Sequence, residues 1–200
     1  MRSFEIGVDV DETVVPFVKP AVEFLRGIGI HVPSYEETPD FNLAVAWKCP
    51  GEEAIKRVNL FLRSDEFASL TPLPGAKDAF SRLFPPHNYH TITSRPDGVE
   101  PITRKFFDEH LGGRYKSIHH LGNYEHKRNT TKAEVANRLG LDLFIEDTYP
   151  EAIAIAKTGI PVLLMNRPWN VGREISDGIT RVNDWDEIVR YIESQANGNL

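Results

Sequence analysis

Two carboxylates stand two residues apart near the start of this chain, Asp9 and Asp11, in the run Ile6-Gly7-Val8-Asp9-Val10-Asp11-Glu12-Thr13. In an extended segment, residues two apart point to the same side. Burying two like charges there costs several kcal/mol unless a cation or shared protons compensate. Further along come Thr93-Ser94-Arg95, then Lys132, then Glu146-Asp147. Brought to one place, these acids, hydroxyls, guanidinium and ammonium would suit a magnesium ion plus a phosphate. Magnesium takes oxygen ligands and keeps some of its water, while a phosphate dianion wants an ammonium and the positive end of a helix dipole.

The elements between these residues explain how they could meet. The spacing predicts a strand over Phe4 to Val10 and a helix carrying Val18, Ala21, Val22, Leu25 and Ile28 on one face, stopped by Gly27 and Gly29. Pro16 and Pro20 predict that this helix starts late or bends early. From His31 to Leu70 the text is broken by Pro33, Pro39 and Pro50, with one clear helix after Pro50-Gly51 that aligns Ala54, Val58, Phe61 and Leu62. Pro72-Leu73-Pro74-Gly75 is sharp punctuation. Residues 14–73 read as a mostly helical insertion, and residues 1–13 with 74–200 as an α/β core.

The second half alternates regularly. A helix over Ala76 to Leu83 precedes a strand over Tyr89 to Thr93. A helix from Val99 to Leu111 stops at Gly112-Gly113, before a strand over Ser117 to Leu121. Thr131-x-x-Glu134 is a capping box, opening a helix that ends at Gly140. A strand over Leu141 to Ile145 follows. Thr148-x-x-Glu151, with Pro150 in the first turn, opens a helix closed by Gly159, and a strand over Pro161 to Met165 completes the series. Alternating strands and helices imply a parallel sheet covered on both faces, a Rossmann-like core. Ligands of such sheets sit beyond the carboxyl ends of the strands, which is where every group named above falls. The polar run from Ser194 to Leu200 is expected to fray.

Composition narrows the partners. The 200 residues are 40% hydrophobic and carry a formal charge of −6. That balance, without a lysine- or arginine-rich run, argues against a nucleic-acid polymer as partner. No apolar stretch approaches the roughly 20 residues that span a bilayer, and the chain enters a strand pattern without a charged leader and apolar plug. Cys49 is the single cysteine, which excludes an internal disulfide and a cysteine-based zinc site. The expected location is the cytoplasm, where the acceptor-like Asn129-Thr130-Thr131 is a chance match. His119 and His120 alternate across a strand, and His87, His90, His110 and His126 lack ligand spacing, so the histidines read as structural or exposed. Nothing decides between a monomer and a homodimer.

The ordered set Asp9/Asp11/Thr13, Thr93, Lys132 and Glu146-Asp147 resembles the four motifs of the haloacid dehalogenase-like (HAD) phosphohydrolases, each in its expected strand or helix context. The likeness covers nearly the whole chain. Within that superfamily the chain is most similar to the 5′(3′)-deoxyribonucleotidase-like branch, on the strength of Thr93-Ser94, Phe144-Ile145-Glu146-Asp147, the run from Pro161 to Asn170, and a helical cap placed directly after the first motif. Glu12 and Glu146 depart from the commoner pattern, and the run from Pro161 to Asn170 offers no residue with an evident catalytic role.

The resemblance implies a magnesium-dependent phosphatase for (deoxy)ribonucleoside monophosphates. It assigns the nucleophile to Asp9, general acid and base work to Asp11, and phosphoryl binding to Thr93 and Lys132. Asp9, the Asp11 backbone carbonyl and Asp147 would hold Mg2+, with Glu146 behind them, and Thr13 would brace the first loop. Phe17 stands where this branch places a base-contacting aromatic, and Trp47 is a second candidate; Phe41 and Phe61 read first as core. Ser94 and Arg95 could touch phosphate or sugar, although Arg95 could equally pair with Asp97 or Glu100. Three alternatives remain: a HAD phosphatase for a sugar phosphate or a nucleic-acid 3′ end, a phospho-accepting signalling module, and a catalytically silent binding protein.

Overall fold

The computed structural model describes residues 2–122 and 130–198. Asn129 and His126 lie outside the described residues. Six strands form one sheet: β1 (Glu5–Val8), β2 (Asn88–Thr93), β3 (Ser117–His120), β4 (Leu143–Glu146), β5 (Val162–Met165) and β6 (Ile179–Val182). Their order is β3-β2-β1-β4-β5-β6, and every pairing is parallel. The order reverses between β1 and β4, and a crevice opens at such a switch point beyond the strand ends.

Alternation along the strands builds both layers. Ile6, Val8, Leu143, Ile145, Leu163 and Met165 face one apolar layer. That layer is completed by α5 (Ala76–Leu83), α6 (Glu100–Leu111) and α9 (Trp185–Ala196). Ile92, Phe144, Val162 and Leu164 face the other, with α7 (Lys132–Leu139) and α8 (Tyr149–Ala156). Gly7 is required between them: a Cβ there would overlap the Phe144 ring and Leu141.

A third apolar cluster is separate. It gathers residues from α1 (Val18–Gly27), α2 (Leu43–Ala46), α3 (Gly51–Leu62) and α4 (Asp65–Ala68), including Val22, Leu25, Val58, Phe61 and Phe67. The chain leaves the core and returns to it at adjacent points, since the Leu73 amide donates to the Val14 carbonyl at 2.8 Å.

Three sequence expectations change. Five strands were expected, and six are present among the described residues. The extra β6 has only four residues and follows a polar loop, whereas the helix after it carries its own signals, the Asp184 cap and the period Trp185, Ile188, Val189, Ile192. The first strand stops at Val8 rather than Val10, because the Val14 and Val15 amides fold back onto the Val10 carbonyl at 2.8 and 3.0 Å. The tail does not fray at Ser194, because α9 continues to Ala196 and docks it at 5% exposure, while Asn199 and Leu200 lie outside the described residues. No helix among the described residues is long and apolar enough to cross a membrane.

Candidate active site

The acids meet at the crevice. Asp9 follows the last residue of β1, and its amide donates to the Ile145 carbonyl of β4 at 3.0 Å. Lys132 opens α7, where the Thr131 hydroxyl accepts the Glu134 amide and the Glu134 carboxylate accepts the Thr131 amide. That capping box fixes the start of the helix and so aims the lysine. Its Nζ lies 2.7 Å from Asp9 Oδ1 and 2.7 Å from Glu146 Oε2. Glu146 closes β4 with its other oxygen, Oε1, accepting the amides of Asp147 and Thr148 and the Thr148 hydroxyl.

Asp147 is held from a region to which the sequence assigned no task. The Trp169 indole Nε1 donates to Asp147 Oδ2 at 3.1 Å, and the Asn170 Nδ2 donates to its carbonyl at 2.6 Å. Asn170 is fully buried and is itself gripped by Arg181. The only sequence signal for this pair was the polar Asn-Arg-Pro-Trp-Asn run closing a strand.

Asp9, Glu146 and Asp147 are all buried, and their carboxylate oxygens fall within 4.8 Å of one another. Burial pushes the Asp9 carboxyl up to about 7, with Glu146 and Asp11 adding to the rise and Lys132 opposing it. Asp147 is raised well above the usual carboxylate range by burial, then by Glu146 and Asp9. Burial would raise Glu146 too, but Lys132 and Thr148 outweigh it and bring it down. Burial would lower Lys132, yet the attraction of Asp9 and Glu146 lifts it. Three acids thus share one ammonium, and the excess negative charge is what a divalent cation would neutralise. Asp9 and Asp147, offering hard carboxylate oxygens, fit magnesium. Glu146 is committed to Lys132 and to the backbone, which suits an anchor for the lysine rather than a direct ligand.

The cavity over these groups has a volume of about 430 Å³. Its floor carries Asp9, Asp11, Thr93, Ser94, Lys132, Glu146 and Asp147. The helical segment lines the cavity with Phe17, Val18, Phe41, Leu43, Ala54 and Val58, and with the polar Asp40 and Asn42 among them. Phe41 was read as core and is not: it is 46% exposed. Trp47, the second candidate for a base contact, is 3% exposed within the helical cluster and does not line the cavity. Thr93 accepts the Arg95 amide on its hydroxyl at 3.2 Å.

Arg95 touches neither the cavity nor the partners expected of it. It grips Asp11, 84 residues earlier, with Nε to Oδ2 at 2.9 Å and Nη2 to Oδ1 at 2.6 Å. Thr13 braces the loop by its backbone, its carbonyl accepting the Trp185 indole at 3.0 Å. Its hydroxyl is buried without a hydrogen-bond partner among the described residues. Glu12 sits at φ +59, and its Oε1 accepts the amides of Phe17 and Val18 at 2.8 and 2.6 Å. It serves as the missing N-cap of α1, which no side chain of its own first turn provides.

No family model matches the chain. A stretch of 120 residues is 34% identical to "Putative nucleotidase YqfW" of Bacillus subtilis, covering 60% of this chain and 58% of that protein. The match spans a little over half the length of the curated relative. Among solved structures, a haloacid dehalogenase-like family hydrolase from Streptococcus pneumoniae superposes with a TM-score of 0.64 at 14% identity, over 95% of this chain and 98% of that one. The HAD-type protein YfnB from Bacillus subtilis, bound to magnesium, also gives a TM-score of 0.64 at 14% identity, over 96% of this chain and 99% of its own. At these identities the likeness is one of fold.

Proposed function

We propose that this chain, which has the fold of the haloacid dehalogenase-like hydrolases, is a magnesium-dependent phosphatase for nucleoside monophosphates. The observation that carries the proposal is the buried Asp9–Lys132–Glu146 chain beside Asp147, at a cavity that the helical segment lines largely with apolar side chains. A phosphate needs the first side of that cavity, and a flat base needs the second. The similarity to a nucleotidase-named relative supports the same substrate class.

In this reading a carboxylate oxygen of Asp9 attacks phosphorus as the bond to the ester oxygen breaks. The proton of Asp11 goes to the leaving alkoxide. Water then attacks the aspartyl-phosphate, Asp11 takes its proton, and inorganic phosphate leaves with Asp9 restored. Lys132 keeps Asp9 oriented and offers its charge to the phosphoryl oxygens, together with the Thr93 hydroxyl and the first turn of α7. Asp9, the Asp11 carbonyl and Asp147 would hold the metal. Bound there, magnesium offsets the repulsion between an anionic nucleophile and a phosphate dianion. Residues 14–73 act as a cap that selects the leaving group.

The test is phosphate release from a panel of deoxy- and ribonucleoside monophosphates, sugar phosphates and 3′-phosphorylated oligonucleotides, with and without magnesium. The native protein should prefer the nucleotides and need the metal. Asp9→Asn should lose at least about 1,000-fold in turnover while keeping its circular dichroism. Undiminished activity in that variant would refute the mechanism.

A further inference from the structure

We infer that Arg95 is a positioning residue for Asp11, setting the plane of its carboxylate and linking it to the helical segment over the cavity. The inference deepens the phosphatase reading and rests on it for the role of Asp11. Three contacts make Arg95 a fixed strut. Its Nε and Nη2 meet both oxygens of Asp11 in a two-pronged pair, the geometry that fixes a carboxylate plane most firmly. Its Nη1 donates to the Thr103 hydroxyl of α6 at 3.1 Å, and that hydroxyl donates to the Val99 carbonyl at 3.0 Å. Its guanidinium lies 4.9 Å from the ring centroid of Phe67 in α4, near enough for a cation–π contact.

The burial is lopsided. The Arg95 side chain is 3% exposed and that of Asp11 is 23% exposed. The guanidinium is therefore held in the wall, while the carboxylate faces the cavity it lines. The two-pronged pair is the ionised form, ready to take a proton from water; in the acid form one oxygen stays on Arg95 as an acceptor while the other leaves the fork and carries the proton toward the leaving group. The pair thus defines a short arc for the acid, and Phe67 makes one anchor of that arc part of the helical segment. Lysine at this position would keep the charge but lose the fork.

The measurement separates this role from simple structural support. Arg95→Met keeps an apolar stem against Phe67 and removes the fork. A p-nitrophenyl leaving group needs no proton, whereas the 5′-oxygen of a nucleotide does. In Arg95→Met, the pre-steady-state burst of p-nitrophenol should stay within about threefold of native, while turnover of a nucleoside 5′-monophosphate falls about 100-fold. Thr103→Val, which frees one prong of the anchor, should show the same pattern at roughly tenfold, and Arg95→Lys should fail to restore nucleotide turnover. Should Arg95→Met not fold, Thr103→Val carries the test alone. A parallel fall in burst and nucleotide turnover, or no change in either, would overturn the role of Arg95 and leave the phosphatase reading standing. Absence of both activities in the native protein would overturn that reading and the role of Arg95 with it.

Discussion

Lys132 is the residue on which the chemistry of the site balances. One ammonium serves Asp9 and Glu146 directly, with Asp147 beside them. The uncompensated charge is a standing cost of the fold without metal. Asp9 holds its proton up to about 7 when folded, against an ordinary carboxylate range when unfolded. The folded state therefore binds more protons through that window, and stability falls as pH rises from about 4 to 7. Asp9→Asn removes this penalty. In the absence of divalent ions, its melting temperature relative to native should be about 3 °C better at pH 8 than at pH 5. An equal offset at both pH values would contradict the assignment. The identities of these acids were legible in the sequence because each closes a strand or opens a helix. The pairing of Arg95 with Asp11 was not, since nothing local marks a partner 84 residues away, and near neighbours such as Asp97 offered a nearer explanation.

Elements aim these residues, and Glu12 shows how one side chain can govern an element. It occupies a left-handed conformation that costs a non-glycine residue about 1 kcal/mol, and it repays this by capping α1 from outside the helix. Arg167 donates to its carbonyl at 2.8 Å through Nε, and the Tyr35 hydroxyl donates to its carboxylate at 3.3 Å. Glu12→Ala should lower the melting temperature by roughly 3–6 °C, the effect of losing about 1–2 kcal/mol of capping, and should speed proteolysis within 18–73 ahead of the core. Unchanged melting would mean that α1 is held by packing alone. The helices were largely readable, because Ala54, Val58, Phe61 and Leu62 repeat at the right period and Thr131 carries its capping partner. Thr148 was a partial exception. It does precede α8, but its hydroxyl goes to Glu146 instead of the helix amides, because a buried carboxylate at the strand end competes for it.

Over the whole molecule, a charged floor and an apolar roof come from different parts of the chain. The parallel core was legible because buried strands read as short apolar runs between helical patterns. The roof was not, because which aromatic faces inward depends on how short helices dock. Trp47 and Phe41 therefore exchanged the places expected of them. Phe41 is the exposed ring over the cavity, and stacking on such a ring is worth about 1–3 kcal/mol per base. Phe41→Ala should accordingly raise KM for nucleoside monophosphates about tenfold while leaving glycerol phosphate within about twofold. Equal losses on both esters would remove the ring from base recognition.

The hydrogen bond from the Leu73 amide to the Val14 carbonyl gives this architecture a particular evolutionary latitude. Because departure and re-entry are stitched together, a roof of almost any length can be exchanged for another without stretching the sheet beneath. Lengthening it costs only the slowly growing entropy of closing a longer loop. Insertions and deletions within residues 15–72 should thus be tolerated with little strain on the strands that hold Asp9 and Glu146.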